Sequence, residues 1–341
     1  MNLLEPWVLV RLAASLVAVI LFLRASIVAF RVLRRFDLQR ATEGQLLLER
    51  QVDLASTFVR IATTVQVVSL ALTVLVADRL SHGVRGAMCA YGVFNANEWG
   101  FRALFCTGVV ALVAGVVSQL YAFDARVKTL EMVRPIAIVT LAILPLAAVD
   151  LVVSFLFLTK LDLTVAASCC SVELDSVAAG SGGYATGPRV LATIGAVIAV
   201  LVAIVVAGFA SKRPKRPFVF GAAILSIVAL PFALAASVLE VAPHAFEVPQ
   251  HVCPFCLLRS DVLAIGYPLF GSIFLAVVWA VGAGFVALFS KRPGPSEAFA
   301  SFARDRMRWG AIAWLVALAV GVLPVLHYTL VSGGASLFHG H

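Results

Sequence analysis

The chain has 341 residues, of which 62% are hydrophobic and 13% are charged, with a net charge of +8 at pH 7. Because soluble domains carry about 25% charged residues, this composition excludes an ordinary soluble globular protein. The basic residues are dispersed among short loops instead of forming one patch, so the positive charge indicates a membrane and not a nucleic-acid partner.

Eight apolar segments are each long enough, at about 20 residues or more, to cross a bilayer as a helix. They do not alternate apolar and polar residues, which excludes a transmembrane β-barrel. The sequence therefore predicts an all-α fold, a polytopic transmembrane helix bundle that forms a single domain over residues 1–341. In chain order the predicted spans are Trp7–Phe30, Leu54–Val76, Phe101–Phe123, Pro135–Leu158, Val190–Ala210, Pro217–Val241, Leu263–Ser290 and Trp309–Val331.

The loops between these spans alternate in charge. Most of the 26 Lys and Arg residues lie in the first, third, fifth and seventh loops. Because positively charged loops stay in the cytoplasm, we expect these four loops inside and both termini outside, in the periplasm of a bacterium. The remaining loops, residues 77–100, 159–189 and 242–262, are then periplasmic, and the protein is expected in the inner membrane.

Thiol and imidazole side chains are concentrated on this predicted periplasmic side. The cysteines and histidines lie in the three periplasmic loops, in the outer parts of spans or in the C-terminal tail, and the cytoplasmic loops have neither type. They are Cys89, Cys106, Cys169, Cys170, Cys253, Cys256, His82, His244, His251, His327, His339 and His341. Hydropathy does not require this distribution, so it indicates metal or redox chemistry on one face.

The third periplasmic loop contains the segment HVCPFC, from His251 to Cys256. A C-x-x-C pair in an oxidising compartment forms a structural disulfide, a redox couple or half of a metal site. Pro254 restricts the turn between Cys253 and Cys256, and a charged His251 would favour a thiolate. Leu257 stands where covalent c-type haem attachment requires a histidine, so that cofactor is not expected.

The second periplasmic loop contains the segment SCCS, in which Cys169 and Cys170 are adjacent. Adjacent cysteines pair with each other only in a strained ring, so each sulfur is expected to have another partner. Vicinal thiols suit soft ions such as Cu(I). The alternative is two separate disulfides to cysteines of the other periplasmic segments.

The first periplasmic loop contains the segment MCAYGVFNANEWGF, Met88–Phe101. It is too polar for a span, and its aromatic residues suit the membrane interface. The alternative is a lid or floor for a site that the other two loops form.

Asp150 lies inside the fourth predicted span, where an ionisable residue is costly and therefore a functional candidate. It accepts a proton, pairs with Arg11 of the first span, or is a buried hydrogen-bonded acid. The sequence leaves these interpretations open.

The stretches ERQVDLASTFVR, MCAYGVFNANEWGF, SCCS and HVCPFCLL with IGYPLF together resemble an uncharacterised family of polytopic bacterial membrane proteins with outward-facing CC and CPFC cysteines. This resemblance covers most of the chain and implies no assigned activity. A looser similarity exists to the disulfide-generating quinone reductases and vitamin K epoxide reductases, which use a C-x-x-C pair beside quinone and a second thiol pair in a loop. Cys253 and Cys256 match the first pair by type, and Cys169 and Cys170 correspond to the second. The eight spans and the adjacent loop cysteines depart from that pattern.

Three functions are consistent with these patterns, and whether the chain is an enzyme stays open. The first is an inner-membrane thiol-disulfide redox protein that passes electrons between periplasmic thiols and the membrane. In it, Cys253 and Cys256 are the membrane-proximal catalytic pair, while Cys169 and Cys170 exchange disulfides with a periplasmic thiol protein. Quinone is the cofactor that this function implies.

The second function is binding or transfer of a soft metal, with copper as the implied ion and a periplasmic metal carrier as partner. Its ligands would be Cys169, Cys170, His251, Cys253 and Cys256. The third function is a structural subunit of a larger membrane complex, with its loops stapled by disulfides. The first two functions predict that one of the adjacent loop cysteines lies close to the C-x-x-C pair.

Overall fold

The structure, a computed structural model, describes residues 5–36, 43–127, 130–162, 187–291 and 294–338. All regular secondary structure in these residues is helical, and no strand occurs among them, which confirms the all-α prediction. The α-helices are α1 Pro6–Arg35, α2 Glu43–Leu80, α3 Ala90–Asn95, α4 Gly100–Asp124, α5 Val133–Thr159, α6 Pro188–Lys212, α7 Arg216–Ala236, α8 Ala242–Phe246, α9 Gly266–Ala287 and α10 Pro295–Val331.

Eight helical segments of the described residues are long and apolar enough to cross a membrane, and each overlaps one predicted span. The number and order of the predicted apolar helices are therefore confirmed. The inside and outside assignment of the loops and termini stays a prediction.

Two of the helices are longer than a bilayer requires. Helix α2 has 38 residues and α10 has 37. At about 1.5 Å per residue each is about 56 Å long, whereas the hydrocarbon core is about 30 Å thick. The predicted spans Leu54–Val76 and Trp309–Val331 are the apolar parts of these helices, and the first turns of both helices carry charged residues that belong outside the core.

Proline and glycine define several helix starts. Helices α1, α6 and α7 each have a proline in the first turn, where the missing N–H costs no helical hydrogen bond. Helix α4 begins at Gly100, and a Cβ atom there would lie 2.1 Å from the carbonyl oxygen of Phe94. Only glycine permits this approach of α4 to the preceding turn.

The helices cluster into two compact units. Unit 1 comprises the described residues of Met1–Arg85, Val93–Ala166 and Phe285–Phe302. Within it α1 packs on α2 and α5, and α4 packs on the same two helices. Ala18, Ala25 and Ala29 of α1 are buried, in agreement with the small side chains that membrane helices place at their contacts.

Unit 2 comprises the described residues of Gly86–Gly92, Ala167–Gly284 and Ala303–His341. Helices α6 and α7 pack together in it. A Cβ atom at Gly284 of α9 would lie 2.5 Å from the Cβ atom of Ala223 of α7, so these two helices approach closely. The segment Gly86–Gly92 belongs to unit 2 although both of its sequence neighbours belong to unit 1, and it brings Cys89 into unit 2.

Candidate functional site

The HVCPFC segment of unit 2 is held by local turns. Helix α8 ends at Phe246, and the next residue, Glu247, has a left-handed backbone with φ of 56°. The backbone N–H of Val248 donates to the carbonyl of Pro243 over 3.1 Å, which closes this helix end. A 3₁₀ turn, Cys256–Leu258, then begins at the second cysteine of the motif.

Cys89 comes from a distant part of the sequence. It precedes α3, and its carbonyl accepts a hydrogen bond from the N–H of Gly92 over 3.1 Å. Its sulfur lies 3.3 Å from the sulfur of Cys253, a residue 164 positions later in the chain. A disulfide requires about 2.05 Å, so these two sulfurs are in close non-bonded contact.

Three sulfurs form one compact group, those of Cys89, Cys253 and Cys256, and all three lie within 4.8 Å of one another. The three residues are 2%, 0% and 6% exposed. Three sulfurs bound to one ion at about 2.3 Å would be about 3.8 Å apart in a tetrahedral site and about 4.0 Å apart in a trigonal planar one. The spacing of this three-cysteine cluster therefore fits a shared metal ion after small movements.

Apolar side chains surround the three-cysteine cluster. Tyr91, Phe246 and Phe255 pack against it. A hydrogen bond from Cys253 lowers the pKa of the Cys256 thiol, but the contact with Cys89, the burial and the charge of a Cys89 thiolate together outweigh it and raise that pKa to about 12. Without a metal ion, Cys256 is therefore a neutral thiol at pH 7.

His251 lies beside this cluster. Its ring stacks on Phe246, with centroids 3.9 Å apart and planes inclined by 27°. Burial lowers the pKa of His251, and the nearby Cys89 opposes that shift, while Arg259 adds to it. The Nε2 atom is buried and has no hydrogen-bond partner among the described residues. His251 nevertheless lies outside the group of ligand atoms within 4.8 Å of one another.

Of the predicted site residues, the structure brings Cys253 and Cys256 together. Cys169 and Cys170 lie outside the described residues, so their predicted approach to the C-x-x-C pair stays a prediction. Cys89 is a site residue that the sequence patterns did not predict. The available signal was its place on the predicted periplasmic side with the other thiols, together with the interpretation of its loop as the floor of a site.

A second polar cluster of unit 2 lies where α7 leaves regular α-helical geometry. A π-helical turn, Ser237–Val241, joins α7 to α8 and contains Glu240. The Glu240 carboxylate accepts hydrogen bonds from Arg189 over 2.5 Å and from Thr193 over 3.1 Å. Its backbone carbonyl lies 2.8 Å from the Nδ1 atom of His244. Each charge of this cluster therefore has a partner, and these hydrogen bonds connect α6 to the π-helical turn.

Unit 1 contains a buried ion pair. Arg11 and Asp150 lie 3.7 Å apart, and their side chains are 2% and 1% exposed. The guanidinium donates to Thr73 over 2.5 Å, and Asp150 accepts from Gln66 over 3.0 Å and from Thr107 over 2.5 Å. Of the interpretations of Asp150 left open by the sequence, pairing with Arg11 and burial as a hydrogen-bonded acid are both present.

Comparison with known proteins adds no family to this description. No protein-family model, no curated protein and no solved structure matches the chain. The predicted resemblance to a family of bacterial membrane proteins therefore stays a prediction, and the function is argued from the residues of the site.

Proposed function

We propose that the chain binds or transfers a soft metal ion, with Cu(I) as the ion that its ligands suit best. Cys89, Cys253 and Cys256 supply the ligands. The observation that carries the proposal is the approach of these three buried sulfurs to within 4.8 Å of one another. Sulfur is the only ligand type in this group, and thiolates favour Cu(I) and zinc over hard cations.

The number and burial of the thiols favour a metal over a structural staple. One disulfide joins two sulfurs, so it would leave the third buried beside it. A metal ion uses all three at once, and its charge compensates thiolates that a dry, apolar surrounding would otherwise keep protonated. The burial of Cys253, at 0% exposed, also disfavours direct attack on it by a second protein.

The charge pattern of the loops supports a periplasmic position for the three-cysteine cluster, in the inner membrane of a bacterium. The adjacent thiols Cys169 and Cys170 lie in a loop on the same predicted side. In this proposal they receive the ion from, or deliver it to, a periplasmic metal carrier. Vicinal thiols suit this role because they offer two soft ligands at adjacent positions of the chain.

Titration with Cu(I) tests the proposal. The detergent-purified protein is reduced under anaerobic conditions in a Cys169→Ser/Cys170→Ser background, and its affinity is measured by competition with a coloured Cu(I) chelator. One ion per chain is expected, and Cys89→Ser should weaken binding by more than about tenfold. Cys106→Ser is the matched control, because Cys106 lies in α4 of unit 1. Equal affinity of the Cys89 and Cys106 variants would contradict the proposal.

A second function, thiol-disulfide exchange, is favoured by the 3.3 Å contact between the sulfurs of Cys89 and Cys253. If Cys253 and Cys256 form a disulfide, a Cys89 thiolate can attack Cys253. A bond then forms between Cys89 and Cys253, the bond to Cys256 breaks, and Cys256 leaves as a thiolate that takes up a proton. Net oxidation of a partner dithiol would pass two electrons and two protons to a membrane quinone.

The oxidation state of the thiols separates these functions. Protein that is alkylated at once in membranes, then analysed by mass spectrometry, should show a reduced three-cysteine cluster if it holds a metal. A mixture of Cys89–Cys253 and Cys253–Cys256 disulfides would favour exchange. A single, complete disulfide that stays unchanged under mild reduction would favour the structural-subunit hypothesis.

A further inference from the structure

The imidazole of His251 has an unusual environment. Its Nε2 atom is shielded from solvent and makes no hydrogen bond to any residue that the structure describes. A buried polar atom without a hydrogen-bond partner lowers the stability of the fold, so such atoms are uncommon in folded proteins. A buried nitrogen without a hydrogen-bond partner beside three thiols is a candidate metal ligand.

The chain keeps this nitrogen close to the three-cysteine cluster. His251 precedes Cys253 by two residues, so their Cα atoms are at most about 7.6 Å apart. The stack on Phe246 fixes the ring plane, with centroids 3.9 Å apart. Phe246 also packs against the three cysteines. One aromatic ring therefore contacts both the imidazole and the thiols.

The imidazole is nevertheless not placed to bind one ion together with all three sulfurs. It does not belong to the group whose ligand atoms lie within 4.8 Å of one another. A tetrahedral ion with sulfur ligands at about 2.3 Å and a nitrogen ligand at about 2.0 Å would require nitrogen–sulfur distances of about 3.5 Å. His251 must therefore change its position relative to the three sulfurs to bind the same ion.

Ions differ in their need for such a ligand. Zinc and its spectroscopic substitute Co(II) prefer four ligands in tetrahedral geometry when bound by thiolates and imidazole. Cu(I) is a soft ion that thiolates select, and three sulfur ligands around it form a complete trigonal planar site. The three sulfurs therefore suffice for Cu(I) but leave a divalent ion one ligand short.

We propose that His251 is a conditional fourth ligand, which binds a divalent ion through Nε2 in an S₃N site and leaves Cu(I) to the three thiolates. This inference rests on the proposed metal-binding function and adds its selectivity. The cluster would accept both kinds of ion, and the position of His251 would determine how tightly the divalent one is held.

The test compares two metals and three proteins in the Cys169→Ser/Cys170→Ser background. The three proteins are the one that keeps His251, His251→Ala and His82→Ala. For each, the affinity for Cu(I) is measured by chelator competition and the affinity for Co(II) by the visible absorption of the bound ion. His82 is exposed, so His82→Ala controls for loss of an imidazole elsewhere. We expect His251→Ala to weaken Co(II) binding by more than about tenfold and to lower the intensity of tetrahedral Co(II) bands, while Cu(I) affinity changes less than about threefold.

Each other outcome has a distinct meaning. If His251→Ala and the milder His251→Gln each weaken Cu(I) and Co(II) binding to the same extent, the inference is overturned. His251 would then be needed for folding or for binding of both ions. Unchanged Co(II) binding and spectra in His251→Ala would also overturn it, while the proposed function would stand. If the His251 protein binds neither ion, the proposed function fails and this inference fails with it.

Discussion

The buried pair Arg11–Asp150 gives the sharpest prediction about stability. The two side chains are 2% and 1% exposed, and Gln66 and Thr107 also donate to the carboxylate. The change Asp150→Asn keeps the shape of the side chain but removes its charge. The positive charge of Arg11 would then be buried without a carboxylate to compensate it, and we expect unfolding to become easier by about 3–5 kcal/mol.

Two further variants show whether charge is the cause. The double change Arg11→Met/Asp150→Leu removes both charges, so it should be less damaging than Asp150→Asn alone. Glu98 and Arg102 form a control pair with a 3.8 Å separation and side chains that are 62% and 60% exposed. Glu98→Gln should cost less than about 1 kcal/mol, because water screens that pair.

The assay is reversible unfolding in mixed micelles as the mole fraction of a denaturing detergent rises, followed by helix content. The free energies of unfolding of the three variants are compared with that of the unchanged protein. If Asp150→Asn lowers the free energy of unfolding by less than about 1 kcal/mol, the reasoning is refuted, because a buried Arg11 charge without a carboxylate should cost more than this.

Three other predictions follow from single features. Gly100→Ala should lower the melting temperature, because the added Cβ atom would lie 2.1 Å from the carbonyl oxygen of Phe94. Gly108→Ala is the control and should not lower it, because no atom lies within 4 Å of a Cβ atom there. Equal melting temperatures of the two variants would contradict the close approach at Gly100. The affinity for Cu(I) should rise between pH 6 and pH 8 by about tenfold per pH unit for each proton released. The reason is that the pKa of Cys256 is raised to about 12, so metal binding must displace its proton. An affinity that does not change with pH would argue against thiolate ligands. A cysteine introduced at the exposed position Ser296 should react with impermeant thiol reagents only from the cytoplasmic side, and labelling from the periplasm would reverse the predicted topology.

Hydropathy predicts the spans well because the membrane acts on each segment locally. A run of about 20 apolar residues forms a helix in lipid whatever its neighbours are, since every backbone polar group must be satisfied within the segment. Asp150 stands out in such a run because an ionisable side chain inside the membrane is costly unless it has a partner. Arg11 was a candidate partner since it also lies inside a predicted span.

The site was less predictable because it depends on contacts between distant segments. Cys253 and Cys256 are three residues apart, so any compact turn brings them together. Cys89 joins them from 164 positions away, and no local pattern encodes that contact. The π-helical turn at Glu240 was equally hidden, because its geometry depends on how the chain approaches Pro243, which has no N–H for a regular helix.

The measurement that tests the central claim most directly is X-ray absorption at the copper edge on the Cys169→Ser/Cys170→Ser protein loaded with one equivalent of Cu(I). The account predicts three sulfur neighbours at about 2.3 Å, the usual distance for a metal–thiolate bond, and a change of this signal in Cys89→Ser but not in Cys106→Ser. Two sulfur neighbours that persist unchanged in Cys89→Ser would contradict it, because the ion would then not be held by the three-cysteine cluster.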